Sequence, residues 1–130
     1  MNPITITLKG TPVPKGRPRF GNGRAYTPKR TKDYESALKA LIKEQDIQGP
    51  IEVTLLAIFP RPQRLMPKKY HDGLIKHTKR PDLDNIIKAV LDALNKTLKD
   101  DAQVCTIHAY KYYAERSNQP RTVVIIKEAL

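Results

Sequence analysis

Residues 79–95 read KRPDLDNIIKAVLDALN, and this stretch decides the fold because it sets a strongly periodic helix between two strand-like segments. On a helical wheel at about 100° per residue, Ile86, Ile87, Val90, Leu91, Leu94 and Leu98 gather on one arc, which makes a core face. Asp84, Lys88, Asp92 and Asn95 take the polar side. The spacing predicts a helix over residues 84–99. Pro81 biases Arg80 toward extended backbone. That predicts a strand-like approach, in which Leu83 takes one face while Asp82 and Asp84 share the other.

Working outward, IEVTLLAIF (51–59) upstream is the most apolar run and reads as an interior strand. Downstream, VCTIHAYKYY (104–113) is strand-like, SNQP (117–120) turns the chain, and RTVVIIKE (121–128) makes a last strand. Near the start, Ile4, Ile6 and Leu8 alternate with Thr5, Thr7 and Lys9, the period of a half-buried strand. Thr27 and Pro28 read as an N-cap and first helical position. Tyr34, Ala37, Leu38, Leu41 and Ile42 then recur at helical spacing until Gly49-Pro50 ends the region. TPVPKGRPRFGNGRAY (11–26) is too rich in Pro and Gly for a long element and reads as a basic loop or short hairpin. Residues 61–80 show no period, and a loop of that length is functional or mobile. The expected architecture is one α/β domain over residues 1–130: a mixed β-sheet with two main helices, in the order β-α-β, loop, α-β-β.

The formal net charge is +11, and it is unevenly placed. Residues 1–32 carry +8 and residues 61–80 carry +6, while the remaining segments are acidic or neutral. Bases concentrated in loops point to a polyanion, since such clusters gain affinity by releasing counterions from a phosphate backbone. No apolar run reaches the roughly 20 residues of a membrane helix, and the N-terminus shows no secretory pattern. The single Cys105 allows no internal disulfide, which suits a cytoplasmic location. His71, His77 and His108 match no structural zinc spacing.

Five of the thirteen acids fall within residues 82–101, and all five are aspartates. An extended D-L-D delivers two carboxylates side by side, with the Lys88 ammonium one helical turn on. Asp100 and Asp101 stand where the helix is expected to end, against the sign of its dipole. A local rule broken without visible compensation marks a candidate site. If the following strand packs beside the approach to the helix, Asp101 can return to Asp82 and Asp84. Short hard carboxylates suit Mg²⁺, which can activate water against a phosphodiester. The bland alternative is an Asp82 N-cap, an Asp84–Lys88 ion pair and a polar turn at Asp100-Asp101. Residue chemistry alone leaves the two even.

RPDLDNIIKAVLDALN together with DDAQV resembles the RusA family of Holliday-junction resolvases, nucleases common in prophages. The sequence matches a D-x-D-N-x-x-K-x-x-x-D-x-L core at Asp82, Asp84, Asn85, Lys88, Asp92 and Leu94. It matches a D-D-x-Q-[VI] segment at Asp100, Asp101, Gln103 and Val104. GTPVPKGRPRF and YTPK look like a variant N-terminus of the same family. The resemblance implies a crossover junction endodeoxyribonuclease, a cytoplasmic bacterial or phage protein of recombination and repair. It would act as a homodimer that cuts four-way DNA junctions by paired symmetric nicks. Asp82, Asp84 and Asp101 would bind Mg²⁺, as one or two ions replaceable by Mn²⁺, and Lys88 would serve at the scissile phosphate. Asn85, Asp92 and Asp100 would be supporting residues. Lys15, Arg17, Arg19, Arg24, Lys76, Lys79 and Arg80 are the expected DNA contacts, with the 61–80 loop ordering on DNA. Tyr112 and Tyr113 could stack on bases, though packing on a strand is the commoner use of tyrosine. A nuclease for flaps or forks, and a non-catalytic basic binding module, are the alternatives.

Overall fold

A computed structural model describes residues 3–42, 47–98 and 100–129, with Asp101 described in its backbone alone. The chain runs β1 (Ile4–Lys9), β2 (Arg19–Gly21), β3 (Arg24–Tyr26), α1 (Lys29–Ile42), β4 (Ile51–Phe59), β5 (Ile75–Lys76), α2 (Leu83–Asn95), β6 (Val104–Tyr113) and β7 (Arg121–Glu128). Short 3₁₀ turns stand at Gln63–Leu65 and Asp101–Gln103. The main sheet has the order β1-β7-β4-β6-β5. β4 and β6 are parallel and every other neighbouring pair is antiparallel, so the sheet is mixed.

β4 is interior, as its composition predicts, with β7 on one side and β6 on the other. Ile51, Val53, Leu55 and Ala57 are fully buried on one face, while Glu52, Thr54 and Leu56 are half-buried on the other. A sheet covered on one face alone produces this alternation. The covering layer is the helix pair: α1 lies over β1, α2 over β6, and the two helices pack against each other. Ile86, Ala89, Val90, Ala93 and Leu94 of α2 are completely buried and join Leu38 and Ile42 of α1 in a single core.

The wheel drawn from sequence needs rotating. Ile87, Leu91 and Leu98 only edge the core, and the buried arc centres on two alanines instead. Leu41 of α1 is exposed, and Glu35, a charged residue, is buried in its place. α2 begins one residue earlier than expected and stops four earlier. The chain bends over residues 79–81 rather than approaching as a strand, and Leu83 is already helical. The small β2-β3 hairpin realises one of the two readings of residues 11–26. Asn22 (φ 53°) and Gly23 (φ 77°) form its turn, a left-handed pair that Asn-Gly adopts with little strain.

Candidate active site

Asp82 occupies the N-cap position of α2 with extended backbone, yet its side chain makes no capping hydrogen bond. A capping aspartate would accept from the first free amides of the helix; this one leaves them. Asp84 follows in the first turn and Lys88 one turn later, and all three side chains are exposed. Asp84 and Lys88 form no ion pair, and none of the three side chains has a hydrogen-bond partner among the described residues. Two parts of the bland alternative, the cap and the ion pair, are therefore unmet. Negative charge at this end also agrees with the helix dipole.

The segment that delivers Asp82 is firmly held. The backbone N–H of His77 donates to the carbonyl of Lys111 on β6 at 3.0 Å. The Lys111 ammonium donates to the carbonyls of Lys79 and Pro81 at 2.5 and 2.7 Å. The amide of Lys79 donates to Nδ1 of His77 at 3.1 Å. His77 is buried, stacked on Tyr113 with ring centroids 4.2 Å apart and edge-on to Phe59 at 4.9 Å. Burial, and then the charges of Lys111 and Arg64, push the His77 pKa below its ordinary value. Tyr113 is thus packed, and half-buried Tyr112 lies beside the parallel ring of Tyr110.

The second acidic pair is built differently. Asp100 caps the 3₁₀ turn that precedes β6, its carboxylate accepting from the Ala102 amide at 2.9 Å. Gln103 closes the reciprocal bond from the Asp100 amide and donates to the carbonyls of Ile47 and Gly49. The dipole argument made from sequence does not hold, because α2 ends at Asn95, well before Asp100. This pair opens a new turn. The side chain of Asp101 lies outside the described residues.

Its backbone position is informative all the same. β5 does pack beside β6, but antiparallel and at the far end, with Ile75 opposite Tyr113. Asp82 therefore lies near the Lys111 end of β6, whereas Asp101 precedes Val104 at the other. At 1.5 Å per residue the intervening helix alone spans about 20 Å. The expected return of Asp101 to the acidic pair is not made within one chain, because α2 carries the backbone the full length of the sheet before β6 starts.

Lys15 also departs from expectation. Its ammonium sits between Glu35 of α1 at 2.7 Å and Asp92 of α2 at 2.8 Å, and its amide donates to the carbonyl of Asn85 at 2.8 Å. Burial works against this charge, but the hydrogen bonds that Lys15 donates to Asp92 and Glu35 outweigh it and raise the Lys15 pKa. Lys15 is a clamp between helices, and Asp92 and Asn85 support it. Lys96 approaches the other Glu35 oxygen at 3.6 Å.

Arg17, Arg19, Arg24, Lys76, Lys79 and Arg80 are exposed. The first three line the loop and hairpin beside Arg30, where Arg17, Arg19 and Arg30 share a cleft of about 320 Å³. Phe20 on the same hairpin is 83% exposed, a placement the sequence signalled through the Asn-Gly turn flanked by Arg19 and Arg24. The 61–80 loop does not wait for DNA to order its first part. Arg61 donates to the carbonyls of Leu65, His71, Asp72 and Gly73, and Arg116 to those of Met66, Pro67 and Tyr70 while pairing with Asp72.

The family model described as Endodeoxyribonuclease RusA matches residues 9–127. The chain belongs to the RusA endodeoxyribonuclease family. It is also 34% identical over 143 aligned positions to a protein of Bacillus subtilis (strain 168) named "Uncharacterized protein YqaN", covering 98% of each chain. Membership of the RusA family makes the protein a nuclease, and the exposed acids at the start of α2 fall inside the matched region. No helix among the described residues is long and apolar enough to cross a membrane.

Proposed function

We propose that this RusA-family protein is a Mg²⁺-dependent endonuclease that resolves four-way DNA junctions by paired symmetric nicks, acting as a homodimer. The observation that carries the reading is Asp82, which stands at a helix start, exposed, and forgoes the cap its position offers. With Asp84 it supplies hard oxygen ligands that no cation pairs with among the described residues. That suits a Mg²⁺ site, which needs one or two carboxylates together with substrate phosphate and water. The two carboxylates of Asp82 and Asp84 would leave the rest of the ion's coordination to substrate, to water or to a second copy. Mn²⁺, with the same oxygen preference, should replace it.

When bound, the ion would supply Lewis-acid stabilisation and an activated water. The chain's own residues do the rest. Lys88, one turn beyond Asp84 and unpaired among the described residues, is placed to meet charge developing on a phosphoryl oxygen. Arg17, Arg19, Arg24 and Arg30 offer charge to a phosphate backbone, and Lys76, Lys79 and Arg80 flank the approach to Asp82. Phe20 offers a face on which an unpaired base can stack, a contact worth about 1–3 kcal/mol.

The test is cleavage of a synthetic four-way junction with and without Mg²⁺. Asp82→Asn should reduce nicking at least 10³-fold while junction binding is retained. Normal cutting by that variant would remove the metal assignment. Binding that falls with salt, without any Mg²⁺-dependent product, would leave a basic binding module.

A further inference from the structure

The two carboxylates are exposed and make no hydrogen bond among the described residues, yet a metal ligand must be held in place before the metal arrives. We propose that Lys111 is the positioning residue for Asp82 and Asp84. This inference rests on the reading of those two aspartates as the Mg²⁺ ligands.

Lys111 sits on β6 opposite Ala57 of β4, so its backbone is fixed by the rigid centre of the sheet. From there it grips the segment before Asp82 three times: by its own carbonyl at His77, and by its ammonium at the carbonyls of Lys79 and Pro81. His77 adds the fourth bond through the Lys79 amide. Pro81 has no N–H, and the chain makes no strand pairing between Lys76 and the helix. Without the ammonium, the carbonyls at residues 79 and 81 would have only solvent, and the chain would enter α2 without two of its four upstream bonds. Downstream, the first turn is pinned by the Asn85 amide on the Asp82 carbonyl at 3.2 Å and by Lys15 on the Asn85 carbonyl. Asp82 and Asp84 thus hang between two anchors, one on β6 and one on the Lys15 clamp.

Lys111 has no carboxylate partner among the described residues; its bonds all go to carbonyls of this one segment. A lysine there for a salt bridge or for DNA would not spend two donors this way. An ammonium bound to two carbonyls two residues apart, at Lys79 and Pro81, acts as an outer support for ligands. Loss of such supports typically weakens metal binding about 10–100-fold.

The experiment uses the full chain and Lys111→Met, which keeps the aliphatic stem and removes the donors, with Lys111→Arg as the conservative variant. Three quantities are read. The first is amide hydrogen exchange at residues 79–85 relative to β4. The second is the Mg²⁺ concentration giving half-maximal junction nicking. The third is metal-free junction affinity against salt.

Lys111→Met should speed exchange of the hydrogen-bonded amides of Lys79 and Asn85 at least tenfold and raise the Mg²⁺ midpoint about tenfold or more. Excess Mg²⁺ should recover most of the nicking, the salt slope should not change, and Lys111→Arg should restore most of the midpoint. A folded Lys111→Met variant with wild-type exchange and midpoint overturns the proposal. So does a salt slope reduced by about one at an unchanged midpoint, the mark of a phosphate contact. Should Lys111→Met fail to fold, Lys111→Gln and Lys111→Arg are read by the same three measurements. The exchange arm does not depend on metal, so it judges the positioning separately even if Asp82→Asn shows the Mg²⁺ reading to be wrong.

Discussion

Lys15 lies in the most basic segment of the chain, and from sequence it reads as one more phosphate contact. Its position between Glu35 and Asp92 gives it another task. The Glu35 side chain is only 4% exposed, and a buried carboxylate left without its cation costs several kcal/mol. Roughly 3–5 kcal/mol is lost when a fully buried pair is broken; here Lys96 and partial exposure of Lys15 lower it to about 2–3 kcal/mol. Lys15→Met should therefore lower unfolding stability by that amount in denaturant titration. The salt slope of junction binding should stay unchanged, whereas loss of a true phosphate contact would reduce it by about one. The sequence could not reveal this use, because the partners lie 20 and 77 residues away and a lysine's reach has no periodic signature. His77 is a second residue whose role is set by its surroundings. Its pKa is lowered in the folded chain, so folding favours the neutral ring. That stability is complete above the ordinary value of 6.5 and is lost as pH falls from there toward the depressed native value. Protonation would also set an N–H against the Lys79 amide that Nδ1 now accepts. In thermal unfolding followed from pH 7.5 to 4.5, His77→Asn should be less stable at neutral pH but should lack this part of the acid slope. An unchanged slope in the variant would place the titration elsewhere.

At the scale of elements, what could be read was whatever depends on period. Alternation at Ile4, Ile6 and Leu8 and the apolar run 51–59 gave strands where β1 and β4 stand. The face of α2 was located to within one flank, and the error has a physical origin. A wheel weights each residue by hydrophobicity, but close approach of α2 to α1 and the sheet selects Ala89 and Ala93 for the contact line and moves Ile87 and Leu91 to its margin. The end of α2 was misplaced because Lys96 and Thr97 continue the pattern in composition, while Thr97 turns its hydroxyl back onto the Leu94 carbonyl. The long loop misled for a related reason. Its order comes from Arg61 and Arg116 binding carbonyls, and every residue carries a carbonyl, so no side-chain pattern announces the partner. The aspartates stand out in the sequence because their type and spacing are local. Which of them share a neighbourhood is not local.

For the whole molecule, the separation of the two acidic motifs becomes the main constraint on how the nuclease works. Asp82 and Asp84 stand at one end of α2 and Asp101 at the other, about 20 Å away by helix rise. If all three serve one phosphodiester, the third must come from a second copy running the opposite way. The outer edge of β6 suits such an arrangement: β5 pairs only with Tyr112 and Tyr113, leaving residues 104–110 without a strand on that side among the described residues. Ile87 and Leu91 on α2 and Leu98 just beyond it are half-buried at the margin of the core in one chain. Antiparallel alignment about a two-fold axis would carry the acidic turn of one copy toward the end where the other holds Lys76, Lys79, Arg80 and Lys111. Both ends of the pair would then form sites, as two symmetric incisions require. Subunit mixing decides the matter. Asp82→Asn and Asp101→Asn homodimers should each be inactive on a four-way junction. Co-refolded mixtures contain heterodimers in which one site carries both defects and the other none. These heterodimers should regain single nicks at up to about half the wild-type first-nick rate, with few paired nicks. If each chain instead carried its own complete site, every site in the mixture would hold one defect, and no nicking would return at any mixing ratio.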